Sequence, residues 1–311
     1  MNAPLNIAPL NKDATLRLIR LGLEEDFTHG PDATTEATVE DDAVLTAHVV
    51  PRQPGVVAGL DTFVWTMREV SAGIGVTVHA SDSDHVAAGD RLATVTGPAR
   101  AVLSAERTAL NLLTYASGIA TRTNEWTHEL AGTGTKVRDS RKTLPGYRDL
   151  AKYAVRCGGG VNHRMSLGDA VLIKDNHVAG VGTVAEAYRR TTAAFPNLPS
   201  EVEVDDLTQL EEVLAFSPDL VMLDNFGVEG TREAVDRRNA VSPSTKLESS
   251  GGLTLDVARA YAETGVDFLA VGALTHSVAI LDIGLDADPN QAPSRASSAV
   301  FTSGHSVSRM E

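Results

Sequence analysis

Six short β-type runs, 135–138, 170–174, 202–204, 220–223, 246–248 and 268–271, alternate with helical stretches at 147–157, 184–194, 207–215, 228–239 and 255–264. A chain that leaves each strand through a helix returns to a parallel neighbour, because a tight turn can join only antiparallel strands. Repeated without an unusually long connection, this pattern predicts a closed or nearly closed α/β barrel. Ligands then bind where the carboxyl ends of the strands open into loops. The residues at those ends are Asp139, Ser140, Arg141 and Lys142, then Lys174, Asp175, Asn176 and His177, then Glu203, Asp224, Asn225, the run 249–252, and Gly272 with Ala273.

The chain ahead of the barrel has a different texture. Residues 1–11 read as a flexible N-terminus, and a helix over 13–25 follows, with Leu16, Ile19 and Leu23 in a 3.6-residue rhythm. Strands at 44–50, 73–80 and 91–95, with a helix at 60–70, make a small α+β domain spanning 12–130. Ser104 is expected to cap a long helix that ends near 130. On that helix Arg107, Asn111, Thr114 and Gly118 share a narrow arc opposite Ala109, Leu112, Leu113, Ala116 and Ala120. Such a stripe is either plain solvated surface or a face turned to a ligand or a second subunit. The barrel domain is expected to span 131–276, a return segment 277–285 to pack near the N-terminal domain, and the Ser-, Ala- and Pro-rich tail 286–311 to be disordered.

Charge is distributed unevenly. The chain carries a formal charge of −14, yet Lys136 to His177 holds nine Lys or Arg against four Asp, so the rest carries −19. A cationic patch inside an acidic surface draws in small polyanions and repels a nucleic-acid backbone. No apolar run approaches the roughly 18 residues of a membrane span, and the first residues lack a cationic patch ahead of an apolar stretch. The expectation is a cytoplasmic protein with no membrane partner. The single cysteine, Cys157, excludes an internal disulfide and reads as a buried structural thiol.

Each strand-end residue also has a plain structural reading. Asp175-Asn176 and Asp224-Asn225 can form Asx turns, 249–252 can be only a tight turn, Lys174 can snorkel, and His163-Arg164 can sit on a loop loosened by Gly158 to Gly160. Six successive strand ends with polar or glycine chemistry are more than packing requires. Ser250, Gly251 and Gly252, then Val271, Gly272 and Ala273, lie at or just beyond the ends of the last two strands, where backbone N–H groups commonly cradle a phosphate monoester. Arg141, Lys142, His163, Arg164 and Lys174 bring more positive charge than one monoester needs, so a second anion is expected, a pyrophosphate or carboxylates. Glu203 and Asp224 are suited to sugar hydroxyls, Mg²⁺ or a cationic centre.

The run DSRKTLPGYRDLAKYAVRCGGGVNHRMSLGDAVLIKDNH, with AERTALNLL, EVEV, VMLDNF, ESSGG and VGALTHS, closely resembles the quinolinate phosphoribosyltransferases, also called carboxylating nicotinate-nucleotide pyrophosphorylases. The resemblance covers roughly residues 12 to 285. It departs at Ser140, Asp205 and Ala270, where Thr, Glu and Ser are usual. It implies an incomplete parallel α/β barrel with an N-terminal α+β domain, and a homodimer in which Arg107 reaches the partner's barrel, with higher assembly open. It also implies conversion of quinolinate and phosphoribosyl pyrophosphate, with Mg²⁺, to nicotinate mononucleotide, pyrophosphate and CO₂ on the route to NAD. By resemblance Arg107, Ser140, Arg141, His163, Arg164 and Lys174 belong to substrate binding, the last four and Arg107 on the two quinolinate carboxylates. Lys142 and Lys174 would neutralise departing pyrophosphate, and Glu203 and Asp224 would hold the ribose, directly or through Mg²⁺.

Three other functions use part of the same residues. A paralogue would take a different pyridine carboxylate, a Schiff-base phosphosugar aldolase would use Lys174 as nucleophile, and a non-catalytic anion-binding protein would keep the cations alone. The arginines are superfluous to an aldolase, and Glu203 and Asp224 are superfluous to an anion binder.

Overall fold

A computed structural model describes residues 7–288 and the backbone of residues 294–295. The N-terminal part comprises α1 (Lys12–Asp26), α2 (Ala33–Thr38), β1 (Ala43–Pro51), β2 (Gly55–Val56), α3 (Leu60–Val70), β3 (Gly75–Val78), β4 (His85–Val86) and β5 (Ala93–Pro98). Side-chain caps open the first two helices: Asn11 Oδ1 accepts from the Ala14 N–H at 3.2 Å, and Asp32 Oδ1 from the Thr35 N–H at 3.0 Å. Strand β1 lies between β5 and a late strand, β12 (Ile283–Ala287), with antiparallel pairing on both sides. The end of the chain thus completes a sheet begun near its start.

Helix α4 (Ala99–Glu129) joins the two halves. At about 1.5 Å per residue its 31 residues span about 46 Å. Val102, Ala105, Ala109 and Leu113 pack into the N-terminal core, Leu112, Ala116, Ile119 and Ala120 against the next helix, and Trp126 into the barrel core. One rigid element therefore fixes both domains. Gly118 permits this, because a methyl group there would overlap the Ala279 carbonyl as residues 279–281 cross the helix.

The barrel follows as β6 (Lys136–Arg138), α5 (Arg148–Cys157), β7 (Val171–Ile173), α6 (Asp175–Val181), α7 (Val184–Ala194), β8 (Ser200–Val204), α8 (Leu207–Leu214), β9 (Leu220–Asp224), α9 (Val228–Val241), β10 (Lys246–Ser250), α10 (Leu255–Ala262), β11 (Phe268–Ala270) and α11 (Ala273–His276). Its six strands are parallel, in the spatial order β6-β11-β10-β9-β8-β7. Val202, Val204, Val221, Leu223, Leu247 and Leu269 are fully buried, as expected for strands covered on both faces. Strands β6 and β7 do not pair with each other, so the cylinder stays open along one seam. The chain leaving α5 partly fills that seam: the Val161 N–H donates to the Val137 carbonyl at 3.0 Å, and Arg138 bridges Val161 in parallel.

Several expectations change. Helix α4 starts at Ala99, five residues before Ser104, whose hydroxyl instead reaches Asp32 Oδ2 at 3.4 Å from inside the helix. The polar stripe on α4 divides: Arg107 and Asn111 are exposed, whereas Thr114 and Gly118 are buried where residues 279–281 cross, the Leu281 N–H donating to the Thr114 carbonyl at 3.0 Å. Gly158 and Gly160 do not loosen their loop; a methyl group would overlap Ala120 and Thr123 of α4 at Gly158, and Thr123 and Val155 at Gly160. Near the N-terminus Leu10 is buried and Arg156 donates to the Ala8 carbonyl at 3.2 Å, so 7–11 are tied to the fold at these two points, while 1–6 lie outside the described residues. Strand β12 extends to Ala287 and β13 (Ser294–Arg295) pairs with β1, which places backbone structure inside the stretch expected to be disordered; 289–293 and 296–311 lie outside the described residues. Among the described residues, no helix is long and apolar enough to cross a membrane.

Candidate active site

The carboxyl ends of the six strands open into one pocket of about 620 Å³. The loop after β6 supplies Ser140, Arg141 and Lys142, and the seam segment supplies His163 and Arg164. Lys174 follows β7, Glu203 lies on β8 and Asp224 ends β9. Ser250, Gly251 and Gly252 follow β10, and Val271, Gly272 and Ala273 follow β11. Leu172, Met222 and Leu253 add apolar surface to the lining.

Charge in the pocket is only partly compensated. The Nε–H groups of Arg141 and Arg164 are buried without a hydrogen-bond partner. Burial, and then the positive charge of Arg141, lower the Arg164 pKa from its ordinary value. Two adjoining guanidiniums with unused donors fit a bound anion, because a buried unpaired donor costs about 1–3 kcal/mol. Lys174 is salt-bridged to Glu203, so a substrate that uses both must separate them. Left-handed backbone at Gly251 (φ 102°) and Gly252 (φ 56°) turns the chain sharply after β10.

Beneath the pocket lies a buried polar layer. Lys152 of α5 is fully buried against Asp139, and its Nζ also donates to the His163 carbonyl at 2.8 Å. Asp139 accepts further from the His163 N–H at 2.8 Å and from Asn162 Nδ2 at 2.5 Å. These bonds hold the seam segment against β6. The Arg164 N–H donates to His163 Nδ1 at 2.7 Å, which leaves the ring proton on Nε2, 2.9 Å from Glu201 Oε2. Glu248, fully buried on β10, accepts from Arg138 Nη1 at 2.6 Å.

His163, Glu201 and Glu248 have the composition and spacing of a metal site. The tautomer argues against one: a ligating imidazole offers a lone pair and donates its other N–H, whereas here Nδ1 accepts and Nε2 keeps its proton. Burial, with repulsion between the carboxylates, raises Glu248 to about 7, and burial raises Glu201 to about 7. The Oε1 atoms of both residues are buried without a hydrogen-bond partner, which leaves them able to take up a proton. Burial also lowers His163 to about 4, so the ring is neutral near pH 7. His163, expected by resemblance on the substrate carboxylates, lines the pocket, but both its ring nitrogens are occupied by protein.

Arg107 is not in the pocket of its own chain. Its side chain is 68% exposed, 3.7 Å from Glu106. His276, absent from the sequence-based site, does line the pocket: α11 places it beside Gly272, and its Nδ1 lies 2.6 Å from Ser277 Oγ. The only sequence signal for it was a histidine one turn beyond the last glycine of the barrel.

Family models of the quinolinate phosphoribosyl transferase N-terminal and C-terminal domains match residues 32–117 and 119–286. The chain belongs to the quinolinate phosphoribosyltransferase family. It is 55% identical over 276 residues to the carboxylating nicotinate-nucleotide pyrophosphorylase of Mycobacterium leprae, covering 88% of this chain and 97% of that protein. A probable enzyme of the same name from Bacillus subtilis is 39% identical over 241 residues, or 77% of this chain and 82% of the relative. The solved nicotinate-nucleotide pyrophosphorylase of Francisella tularensis superposes with a TM-score of 0.85 at 37% identity, covering 93% of this chain and 100% of that one. The Ehrlichia chaffeensis structure gives 0.83 at 34%, covering 88% and 98%. Family membership therefore extends over both domains and the pocket between the strand ends.

The buried carboxyl pair has a measurable consequence. Because the folded pKa of Glu248 is raised from 4.5 to about 7, its stabilisation is fully present below the unfolded value and is lost as pH rises through about 7. Glu248→Gln, which mimics the protonated form and can still accept from Arg138, should remove this dependence. Relative to the variant, wild-type Tm should fall by about 2–8 °C between pH 4.5 and 7.5. Thermal unfolding curves that stay parallel across this range would show that the pair holds no such proton.

Proposed function

We propose that this chain transfers the phosphoribosyl group of phosphoribosyl pyrophosphate to the ring nitrogen of quinolinate and releases pyrophosphate and CO₂, giving nicotinate mononucleotide for NAD synthesis. The observation that carries the substrate assignment is the pair of adjoining guanidiniums, Arg141 and Arg164, with unused buried donors in a pocket that also holds Lys142 and Lys174. Two carboxylates on one ring and a leaving pyrophosphate account for that charge; a single carboxylate leaves part of it unmatched.

In this reading Arg141, Arg164 and Lys174 hold the quinolinate carboxylates, with His163 fixing Arg164 through its backbone. The turns at 250–252 and 271–273 take the 5′-phosphate, with Ser140 and His276 beside them. Glu203 and Asp224 hold the ribose hydroxyls and oppose the positive charge growing at C1′ as the bond to pyrophosphate breaks. The ring nitrogen forms the new bond to C1′, and Lys142 and Lys174 receive the departing anion. The quaternary nitrogen then accepts the electron pair of the adjacent C–COO⁻ bond, and a proton replaces the lost CO₂. Glu203 and Asp224 provide hard oxygen donors of the kind Mg²⁺ takes, and the ion when bound would neutralise pyrophosphate charge. A single buried free thiol, Cys157, needs no oxidising compartment, and the proposed setting is the cytoplasm.

Arg107 belongs to this proposal through a homodimer, in which α4 of one subunit brings it to the other's pocket. Its exposed position outside its own pocket supports that reading.

A coupled assay with quinolinate, phosphoribosyl pyrophosphate and Mg²⁺ should release CO₂ and pyrophosphate in equal amounts. Pyrophosphate release without CO₂ would exclude the decarboxylating reaction. The shared site is tested by mixing Arg107→Ala and Lys174→Ala subunits, each nearly inactive alone. Random re-pairing makes about half the dimers mixed, each with one intact site, so about a quarter of wild-type activity should return. No recovery despite proven subunit exchange would place Arg107 outside the partner's site.

A further inference from the structure

Asn225 is the one non-glycine residue with positive φ that adjoins the pocket, the others among the described residues being Ser83 and Ser217. Its φ of 57° lies in the left-handed region, where an L side chain is strained and Asn is tolerated better than most. Three contacts hold it there. Its N–H donates to the Ser250 carbonyl at 2.9 Å, continuing the β9–β10 ladder one step beyond the strand end. Its Nδ2 donates to Asp224 Oδ2 at 2.8 Å. Its carboxamide lies against Gly251, where a methyl group would overlap Oδ1.

The two constraints therefore serve a single placement. The left-handed backbone turns the Asn225 side chain back on the residue before it, and the bare Cα of Gly251 leaves the amide its space. One oxygen of Asp224 is then engaged by a neutral donor, which restrains rotation of the carboxylate. An amide donor does this without adding charge, whereas a lysine or arginine would compete with the cationic centre that the carboxylate faces.

We propose that Asn225 is a positioning residue for the transfer step, acting through Asp224 by fixing its carboxylate in the orientation that opposes charge at C1′. The inference rests on the ribose role of Asp224 given above. Preorganised electrostatic groups lose most of their effect when left free to rotate, because reorganisation is then required during the reaction.

The test uses Asn225→Gly, Asn225→Asp, Asp224→Ala and the double variant Asp224→Ala/Asn225→Gly in the full-length protein, with steady-state kinetics and thermal unfolding. Glycine accepts the φ of Asn225 without strain, which offsets the lost amide contact and the added freedom of the unfolded chain, so Asn225→Gly should unfold close to the wild-type Tm. Its kcat should nevertheless fall about tenfold or more while the KM for quinolinate stays within about twofold. Asn225→Asp, which replaces the donor by a second carboxylate, should lose at least as much kcat. In the Asp224→Ala background Asn225→Gly should change kcat by less than about twofold, because nothing remains to be positioned. A wild-type kcat for Asn225→Gly beside an impaired Asp224→Ala would overturn this inference and leave the ribose assignment standing, as would a full additive loss in the double variant. A fully active Asp224→Ala would overturn both. A loss of kcat that merely follows a lowered Tm would mark Asn225 as structural.

Discussion

The Asp139–Lys152 ion pair is the interaction on which the pocket depends most. The barrel is open between β6 and β7, and the chain that crosses this seam is tied to β6 by one isolated backbone bridge, Arg138 with Val161, rather than by a full strand ladder. Asp139 provides that fixity by accepting from Lys152, Asn162 and the His163 N–H, while Lys152 reaches back to the His163 carbonyl. Arg141 and Lys142 follow the pair on one side of the seam, and His163 and Arg164 lie on the other. A buried pair of this kind is weak evidence of stability, since desolvation offsets much of its attraction, but removing one partner costs about 3–5 kcal/mol. Its role here is to specify one arrangement of a segment that the barrel holds by only an isolated backbone bridge.

From that fixed seam the electrostatics follow. Strand β8 alternates Glu201 and Glu203 with Val202 and Val204, so both carboxylates face the barrel interior at successive depths. Glu203 meets Lys174 at the mouth, whereas Glu201 meets His163 and Glu248 below it. The deeper layer offsets charge by pairing Glu248 with Arg138 and by burial that favours the protonated form of its carboxyls. The upper layer keeps cations in excess and guanidinium donors unused. The pocket thus has a neutral floor and a positive rim, set in a chain of net charge −14. That contrast favours compact polyanions over extended ones.

Much of this was legible in the chain. The β/α alternation located every barrel strand because each carries buried aliphatic residues in a short stretch between helical ones, and polar residues mark the strand ends. Those ends also revealed the two carboxylates, the glycine turns and most of the cations. The support layer was not legible, since Arg138, Lys152, Glu201 and Glu248 are scattered along the chain and meet only when the strands pair. The N-terminus of α4 was misplaced because Ser104 is a good cap in isolation, yet Asp32 engages its hydroxyl across the fold. The glycines at 158–160 suggested slack, but their lack of side chains serves close packing on α4. Tertiary contact, invisible in a local pattern, decided each of these cases.

Selectivity between one and two carboxylates tests the central claim most directly, that the pocket's unmatched cations are a receptor for a dicarboxylate ring. The measurement is kcat/KM for quinolinate and for nicotinate, each with phosphoribosyl pyrophosphate and Mg²⁺. The account predicts a preference for quinolinate of at least about 10³, since a buried cation left unpaired costs several kcal/mol. A nicotinate value within about tenfold of that for quinolinate would contradict it.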